Sequence, residues 1–289
     1  MNSAEIMVDF KSIRNVLNSE IKVSILIDLF NGGKTLKQLA DSSNKSASTF
    51  VNNLKFLEIN QEIVINQDKY YLTSLGILLT LKIIAFINNW TVINDNFDFW
   101  QEHSMDSIPK NSLNNIGSLK DSEYILSSIS DMRRSLITFM DILKLSDNSK
   151  IILPIFSEKH CDIIFNTLTT DSNKTIELCV NSNILKKIQS YYADEIIHFK
   201  NNGQLKFGSL NKDVDIFLVA TNNLMSLNLF LNDGFYDDNI VLVNTSDMSI
   251  QWANNLFEYL KNRVDLSNNY LKLNEVSLLD EVSSTGAVA

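Results

Sequence analysis

Glycine and proline are scarce in this 289-residue chain, numbering eight and two. So few turn-formers exclude a Gly-rich cofactor fold, a many-turned barrel and a Pro-rich linker. Cysteine is as scarce: Cys161 and Cys179 are too few for the disulfide framework of a small secreted scaffold, and no basic stretch followed by an apolar one opens the chain. Basic charge is also in deficit, 25 Lys and Arg against 34 Asp and Glu, a net of −9. That excludes a polybasic, whole-surface mode of binding and restricts anion binding to a local patch. The most apolar long stretch, Leu75 to Ile93, is interrupted by Lys82 and Asn88–Asn89. It falls short of the ~18 uninterrupted apolar residues of a membrane span, so the expectation is a soluble, cytoplasmic protein with no membrane partner.

What is present suffices for a core. Apolar types make up 45% and charged types 20%, and the length favours two packed units over one.

Ser19 is placed to cap a helix from Glu20 to about Phe30, which Asn31-Gly32-Gly33 ends, since Gly tolerates the left-handed conformation after a helix. Thr35 caps a short second helix, Leu36 to about Ser42. Ser46 caps a third, running to about Leu57, with Ala47, Phe50, Val51, Leu54 and Leu57 on one face and Ser48, Thr49, Asn52, Asn53 and Lys55 on the other. The period then becomes alternating: Glu62 to Asn66, a turn at Gln67-Asp68-Lys69, and Tyr70 to Thr73 read as a β-hairpin. Three helices and a hairpin are the order of a winged helix-turn-helix, whose third helix enters the major groove while the hairpin touches the backbone. The strings TLKQLA, SASTFVNNLKFLE and YYLTSLG, between Lys34 and Gly76, resemble the winged helix of archaeal regulators related to the ArsR and TrmB groups.

Residues 1–76 hold eight basic and eight acidic side chains, so all of the −9 lies beyond them. Within 32–57, Lys34, Lys37, Lys45 and Lys55 stand against Asp41, a net of +3. A modest basic patch of this kind supports a few phosphate contacts per subunit and makes affinity depend on dimerisation. The expected DNA contacts are Lys45, Ser46, Ser48, Thr49, Asn52, Asn53 and Lys55, with Asn66, Gln67 and Lys69 on the wing. Asn can bridge adenine in two bonds, and Arg, the best guanine reader, is absent from the helix, so the site leans towards A·T. The alternative is a winged helix used only for protein contacts.

Two stretches carry heptad-like spacing: Leu79, Ile83, Phe86, Trp90, Ile93, Phe97 and Trp100, and then Ile125, Ile129, Met132, Leu136, Phe139 and Leu143. They predict two helices with a/d-type seams, serving homodimerisation or packing on one another or on the C-terminal domain, with His103 to Leu119 as the connector between them.

The C-terminal half reads β-α-β-α-β-β-β-β-α, with strands at Lys150–Phe156, Thr175–Val180, Gln204–Leu210, Asp215–Thr221, Leu224–Leu231 and Ile240–Asn244. Helices fall at Glu158–Leu168, Ile184–Phe199 and Met248–Val264. The order implies a mixed sheet with helices on its faces. The stretches FWQEHSMDSIPKNSLNNIGSL (Phe99–Leu119), ILPIF ending at Phe156, and SIQWANNLFEYL (Ser249–Leu260) are similar to archaeal transcriptional regulators of the methanogen filamentation-regulator type. The resemblance reaches to about residue 265. It implies a DNA-binding regulator whose α/β module senses a ligand or partner and is related to the phospholipase-D-like half of TrmB regulators. Catalysis in that fold needs His-x-Lys with Asp four residues on. His198-Phe199-Lys200 supplies the first part, but Leu205 stands where Asp is required, so the module is read as non-catalytic.

No cofactor and no metal site is expected. His160, Cys161, Cys179 and His198 lack paired-ligand spacing, and buried cysteines with surface histidines explain them. Plant-type O-methyltransferases also put a winged helix before an α/β domain and form the enzyme rival. Ser157-Glu158-Lys159-His160 follows the first strand where a Gly-rich turn would be needed. Tyr191, Tyr192, Glu195 and Trp252 are the candidate ligand residues.

The expected layout is a two-domain α+β and α/β chain. A winged helix-turn-helix occupies 1–76, a helical connector and dimerisation region 77–148, an α/β effector or sensor domain 149–266, and a fraying tail 267–289. The expected function is a homodimeric regulator of transcription bound to double-stranded operator DNA.

Overall fold

The computed structural model describes residues 14–41, 47–210 and 212–262. The chain forms two compact units, divided between Thr91 and Val92. The stretch expected as a connector, 77–148, is therefore shared between the two units rather than forming a body of its own.

In the first unit, helix α1 (Glu20–Phe30) begins where expected, with the Ser19 hydroxyl accepting from the Lys22 N–H, and ends at Asn31, with Gly32 at φ +128°. Helix α2 (Leu36–Asp41) starts with a reciprocal cap: Gln38 N–H donates to Thr35 Oγ1, and Thr35 N–H donates to Gln38 Oε1. Helix α3 (Ala47–Ile59) packs Phe50, Leu54 and Leu57 onto Ile25, Leu26, Leu29 and Leu39. The hairpin follows, and its loop is two residues rather than three. Strands β2 (Ile63–Asn66) and β3 (Lys69–Leu72) join through Gln67 and Asp68, both at positive φ, so that Lys69 pairs with Asn66. Lys34–Thr35 adds a short strand, β1, on the other side of β3, which apolar periodicity did not signal.

Helix α4 (Ser74–Asp95) leaves the hairpin through a tight joint. Gly76 comes so close to the Glu62 carbonyl oxygen that a Cβ there would clash with it. Thr73 Oγ1 donates to the Gln61 carbonyl and accepts from the Gly76 N–H. By length and composition alone α4 is long and apolar enough to cross a membrane. Lys82 and Asn88–Asn89 do not bring it below that mark, contrary to the sequence expectation.

In the second unit, a seven-stranded sheet has the order β4-β10-β9-β8-β5-β6-β7. Its strands are β4 (Glu123–Leu126), β5 (Asn148–Ile152), β6 (Thr175–Asn181), β7 (Leu205–Leu210), β8 (Ile216–Thr221), β9 (Met225–Leu229) and β10 (Ile240–Asn244). β5, β6 and β7 run parallel and the other pairs antiparallel. Strands β8 and β9 are buried along their whole length, as helices on both faces require. One face carries α11 (Asp247–Lys261) and the short α6 (Lys110–Asn114), with Phe99, Ile108, Ile116 and Leu119. The other carries α7 (Arg134–Leu145), α8 (Glu158–Thr170), α9 (Ser182–Tyr191) and α10 (Ala193–Asn201). The helix expected over 184–199 is thus two, broken at Tyr192.

The second heptad seam does not exist as a helix. Ile125 lies on β4, paired with Val241 of β10. Ile129 is fully exposed beside the Ser128–Asp131 bridge, and only from Arg134 is the chain helical. Ser128 and Asp131 exchange backbone hydrogen bonds and the Ser128 and Ser130 hydroxyls pair with one another, which closes a turn there. The first seam is also cut. Asn96 separates α4 from α5 (Phe97–Glu102), so the helical period is interrupted before Phe97 and Trp100.

Candidate nucleic-acid interface

Helix α3 is amphipathic in the sense the sequence required. Phe50, Leu54 and Leu57 are buried, while Ser48, Thr49, Asn52 and Lys55 are exposed along the opposite side. Glu58 and the apolar Ile59 extend that outer face towards the C-terminus. Lys45 and Ser46 lie outside the described residues.

Asn53 departs from the others. It is half-buried, its Nδ2 donates to the Thr49 carbonyl at 2.8 Å, and its Oδ1 accepts from the Ser19 hydroxyl at 3.2 Å. Both ends of the amide are used inside the unit, so it ties α3 to the cap of α1. Lys22 reinforces the same joint, with its Nζ 3.4 Å from the centre of the Phe56 ring.

The local charge is smaller than the count over 32–57 suggested. Lys34 Nζ lies 2.7 Å from Asp28 Oδ1 on α1, and that carboxylate lies outside the counted window. Lys37 and Lys55 remain exposed. On the wing Asn66, Gln67 and Lys69 are exposed, as are the apolar Val64 and Ile65. Beneath the wing Glu62 is buried. Desolvation raises its carboxyl above the ordinary range, with the Lys22 charge pulling the other way.

The proposed ligand residues of the second unit are not brought together. Trp252 is buried on the α11 face and donates its Nε1–H to the Ser112 carbonyl at 2.9 Å. Tyr192 lies on the opposite face, stacked on Phe165, with its hydroxyl donating to Asp162 at 2.8 Å. Tyr191 and Glu195 are exposed on α9 and α10. A core and surface reading accounts for all four. His198 is exposed but His160 is buried, against the expectation of surface histidines. Burial draws the His160 ring down to a pKa of about 4. Cys161 and Cys179 are buried free thiols, pushed up to about 12 and about 11 by desolvation.

Comparison with known proteins gives a consistent family. Residues 10–90 match the N-terminal domain, and residues 132–263 the middle domain, of methanogenesis regulatory protein FilR1. The FilR1 protein of Methanothrix harundinacea is 21% identical over 260 residues, covering 88% of this chain and 57% of that protein. The chain thus spans little more than half the length of this relative. Among solved structures, the archaeal chromatin protein TrmBL2 is 14% identical over 86% of this chain and 96% of its own, with a TM-score of 0.37. A riboflavin-analogue dimethyltransferase, RosA of Streptomyces davawensis, is 12% identical over 72% and 66%, with a TM-score of 0.24. Both superpositions are too loose to argue from. The two domain models together match well over half of the chain, which belongs to the family of methanogenesis regulatory protein FilR1.

Proposed function

We propose that this chain is a DNA-binding regulator of transcription that acts as a homodimer in the cytoplasm, and not an enzyme. The observation that carries the reading is the polar outer face of α3, where Ser48, Thr49, Asn52 and Lys55 are exposed, together with the exposed hairpin tip of Asn66, Gln67 and Lys69. Lys45 and Ser46 complete the contact set in sequence. Ser, Thr and Asn side chains suit base edges, while the lysines suit phosphates. Asn53 orients the helix rather than reading DNA, because both ends of its amide are engaged. Membership of a family named for a regulatory protein supports the same reading.

Dimerisation is assigned to α4. Leu78, Phe86 and Trp90 are 61%, 60% and 59% exposed, a stripe of large apolar side chains that a second copy of the helix would cover. The second unit is the sensing domain. Its relation to the phospholipase-D-like half of TrmB regulators rests on the mixed sheet between helical layers. His198 and Lys200 sit in the last turn of α10, where they complement the helix dipole.

An anisotropy titration with promoter fragments at low and physiological salt tests the central point. Retention that fades with salt supports DNA binding, and no retention at either salt favours a protein-contact module. A cofactor bound to the purified protein, detected by native mass spectrometry, would revive the enzyme alternative.

A further inference from the structure

Glu62 stands where a helix end ordinarily takes an apolar side chain. Helix α3 closes in a Schellman turn: Gln61 is left-handed at φ +59° and donates its N–H to the Glu58 carbonyl, while the Glu62 N–H reaches back to the Leu57 carbonyl. The residue in the place of Glu62 commonly packs an apolar group against the last turn of such a helix. Here a carboxyl occupies it, 8% exposed, with Oε2 buried and without a hydrogen-bond partner among the described residues.

No neighbouring group neutralises an ionised carboxylate there. Among the described residues, the titratable side chains on the surrounding elements are Glu20, Lys22 and Asp28 on α1, Lys55 and Glu58 on α3, Asp68 in the hairpin turn, and Lys69, Tyr70 and Tyr71 on β3. Helix α4 brings none before Lys82. Lys22 is the charge that acts on Glu62, and desolvation outweighs it. Its ammonium makes no ion pair with the carboxyl, being held at the Asn15 carbonyl, 2.8 Å away, and over the Phe56 ring. A charge buried without a partner is costly, so the packed arrangement favours the neutral acid.

The backbone of the same residue fastens three elements. Its N–H holds the end of α3, and strand β2 of the wing begins at the next residue. Its carbonyl accepts from the Thr73 N–H at 3.1 Å and from Thr73 Oγ1 at 3.2 Å, beyond the far end of the wing. The Gly76 backbone, in the first turn of α4, presses on that carbonyl. Water that enters to solvate the carboxylate therefore has to part α3, the wing and α4.

We propose that Glu62 is a proton-operated latch of the first unit: protonated, it lets α3, the wing and α4 pack together, and ionised, it draws water into their joint and loosens the wing. The packed joint thus loses ground as pH rises above the ordinary carboxyl range. The effect on DNA rests on the DNA-binding reading, whereas the loosening does not.

Hydrogen exchange of the 289-residue chain, followed by mass spectrometry in peptides spanning 62–76, tests the latch. Wild type and Glu62→Gln are compared at matched pH from mildly acid to neutral. Wild type should exchange about tenfold faster at neutral pH, and the two proteins should converge towards acid pH. Glu62→Leu, which puts an apolar side chain in the turn, should behave as Glu62→Gln. Glu58→Gln, which removes an equal charge from the exposed side of α3, should exchange as wild type does. In anisotropy titrations at neutral pH, Glu62→Gln should bind DNA about threefold tighter than wild type, as a larger packed fraction requires. That gain should survive raised salt, whereas any gain in Glu58→Gln should be screened away. Equal exchange of wild type and Glu62→Gln at neutral pH, or a difference that persists unchanged into acid, overturns the latch. Faster exchange in wild type without a salt-resistant gain on DNA supports the latch and overturns its control of binding. DNA retained by none of the proteins overturns the DNA-binding reading, and the exchange result still decides the latch.

Discussion

His103 Nε2 and Asp237 Oδ2 lie 3.1 Å apart across 134 residues of sequence, both side chains buried. The other ring nitrogen, Nδ1, donates to the Phe99 carbonyl at 2.7 Å, and Asp237 Oδ1 accepts from the Asn239 N–H and side-chain amide. The pair fastens the segment after α5 to the β9–β10 connection. Removing one partner strands the other in the interior, so Asp237→Ala should cost about 3 kcal/mol of unfolding free energy. By contrast Asp131→Ala, which breaks an exposed 3.8 Å contact with Arg134, should cost under about 0.5 kcal/mol. Urea denaturation of the two variants compares them directly.

His160 gives the second unit a pH dependence. Its ring packs against Phe139 and Phe217, and burial lowers its pKa from 6.5 to about 4. Between those values the unfolded chain holds a proton on this ring that the folded chain does not. Stability therefore falls as pH falls through that window, by about 3 kcal/mol in total, and the ring adds no slope above it. Thermal melts of wild type and His160→Gln from neutral to acid pH should converge in slope above the window and diverge within it. Parallel curves throughout would contradict the assignment.

The apolar stripe of α4 sets the oligomeric state. Phe86→Glu and Trp90→Glu place charge where a second helix is expected, and each should convert a dimer to a monomer by light scattering while leaving the helical circular dichroism signal intact. Wild type that is monomeric, or that is recovered only with detergent, would remove the dimer assignment.

Base preference rests on α3. Asn52→Ala should relax an A·T-leaning preference by about 1–3 kcal/mol at one position of the site, with little effect on affinity for unrelated DNA. A binding-site selection with the two proteins reads it. A G·C-rich consensus from wild type would contradict the expectation.

The first unit was legible in detail because its signals are local. Ser19, Asn31-Gly32 and the switch to alternation at Glu62 are carried by neighbouring residues, and α1 and the hairpin follow them closely. From β5 onward the α/β unit was legible strand by strand, since Ile216–Thr221 is an apolar run too short for a helix and Met225–Leu229 alternates apolar with polar residues. What sequence could not give was pairing. Ile125, Ile129 and Met132 satisfy a helical period, yet Ile125 is claimed by β10, a partner more than a hundred residues away. Long-range pairing likewise explains β1, whereas the capture of Lys34 by Asp28 is local and was missed because the charge count began after Asp28. The four proposed ligand residues were chosen one by one as types, and the sheet places Trp252 and Tyr192 on opposite faces.

Salt-dependent DNA binding by α3 is the central claim, and anisotropy titrations of wild type and Lys55→Ala on one promoter fragment across a series of salt concentrations test it most directly. The expected result is a linear fall of log affinity with log salt in wild type, and a slope shallower by about one unit in Lys55→Ala with affinity lowered on every sequence. Identical slopes for the two proteins, or no retention of DNA by wild type at low salt, would contradict it.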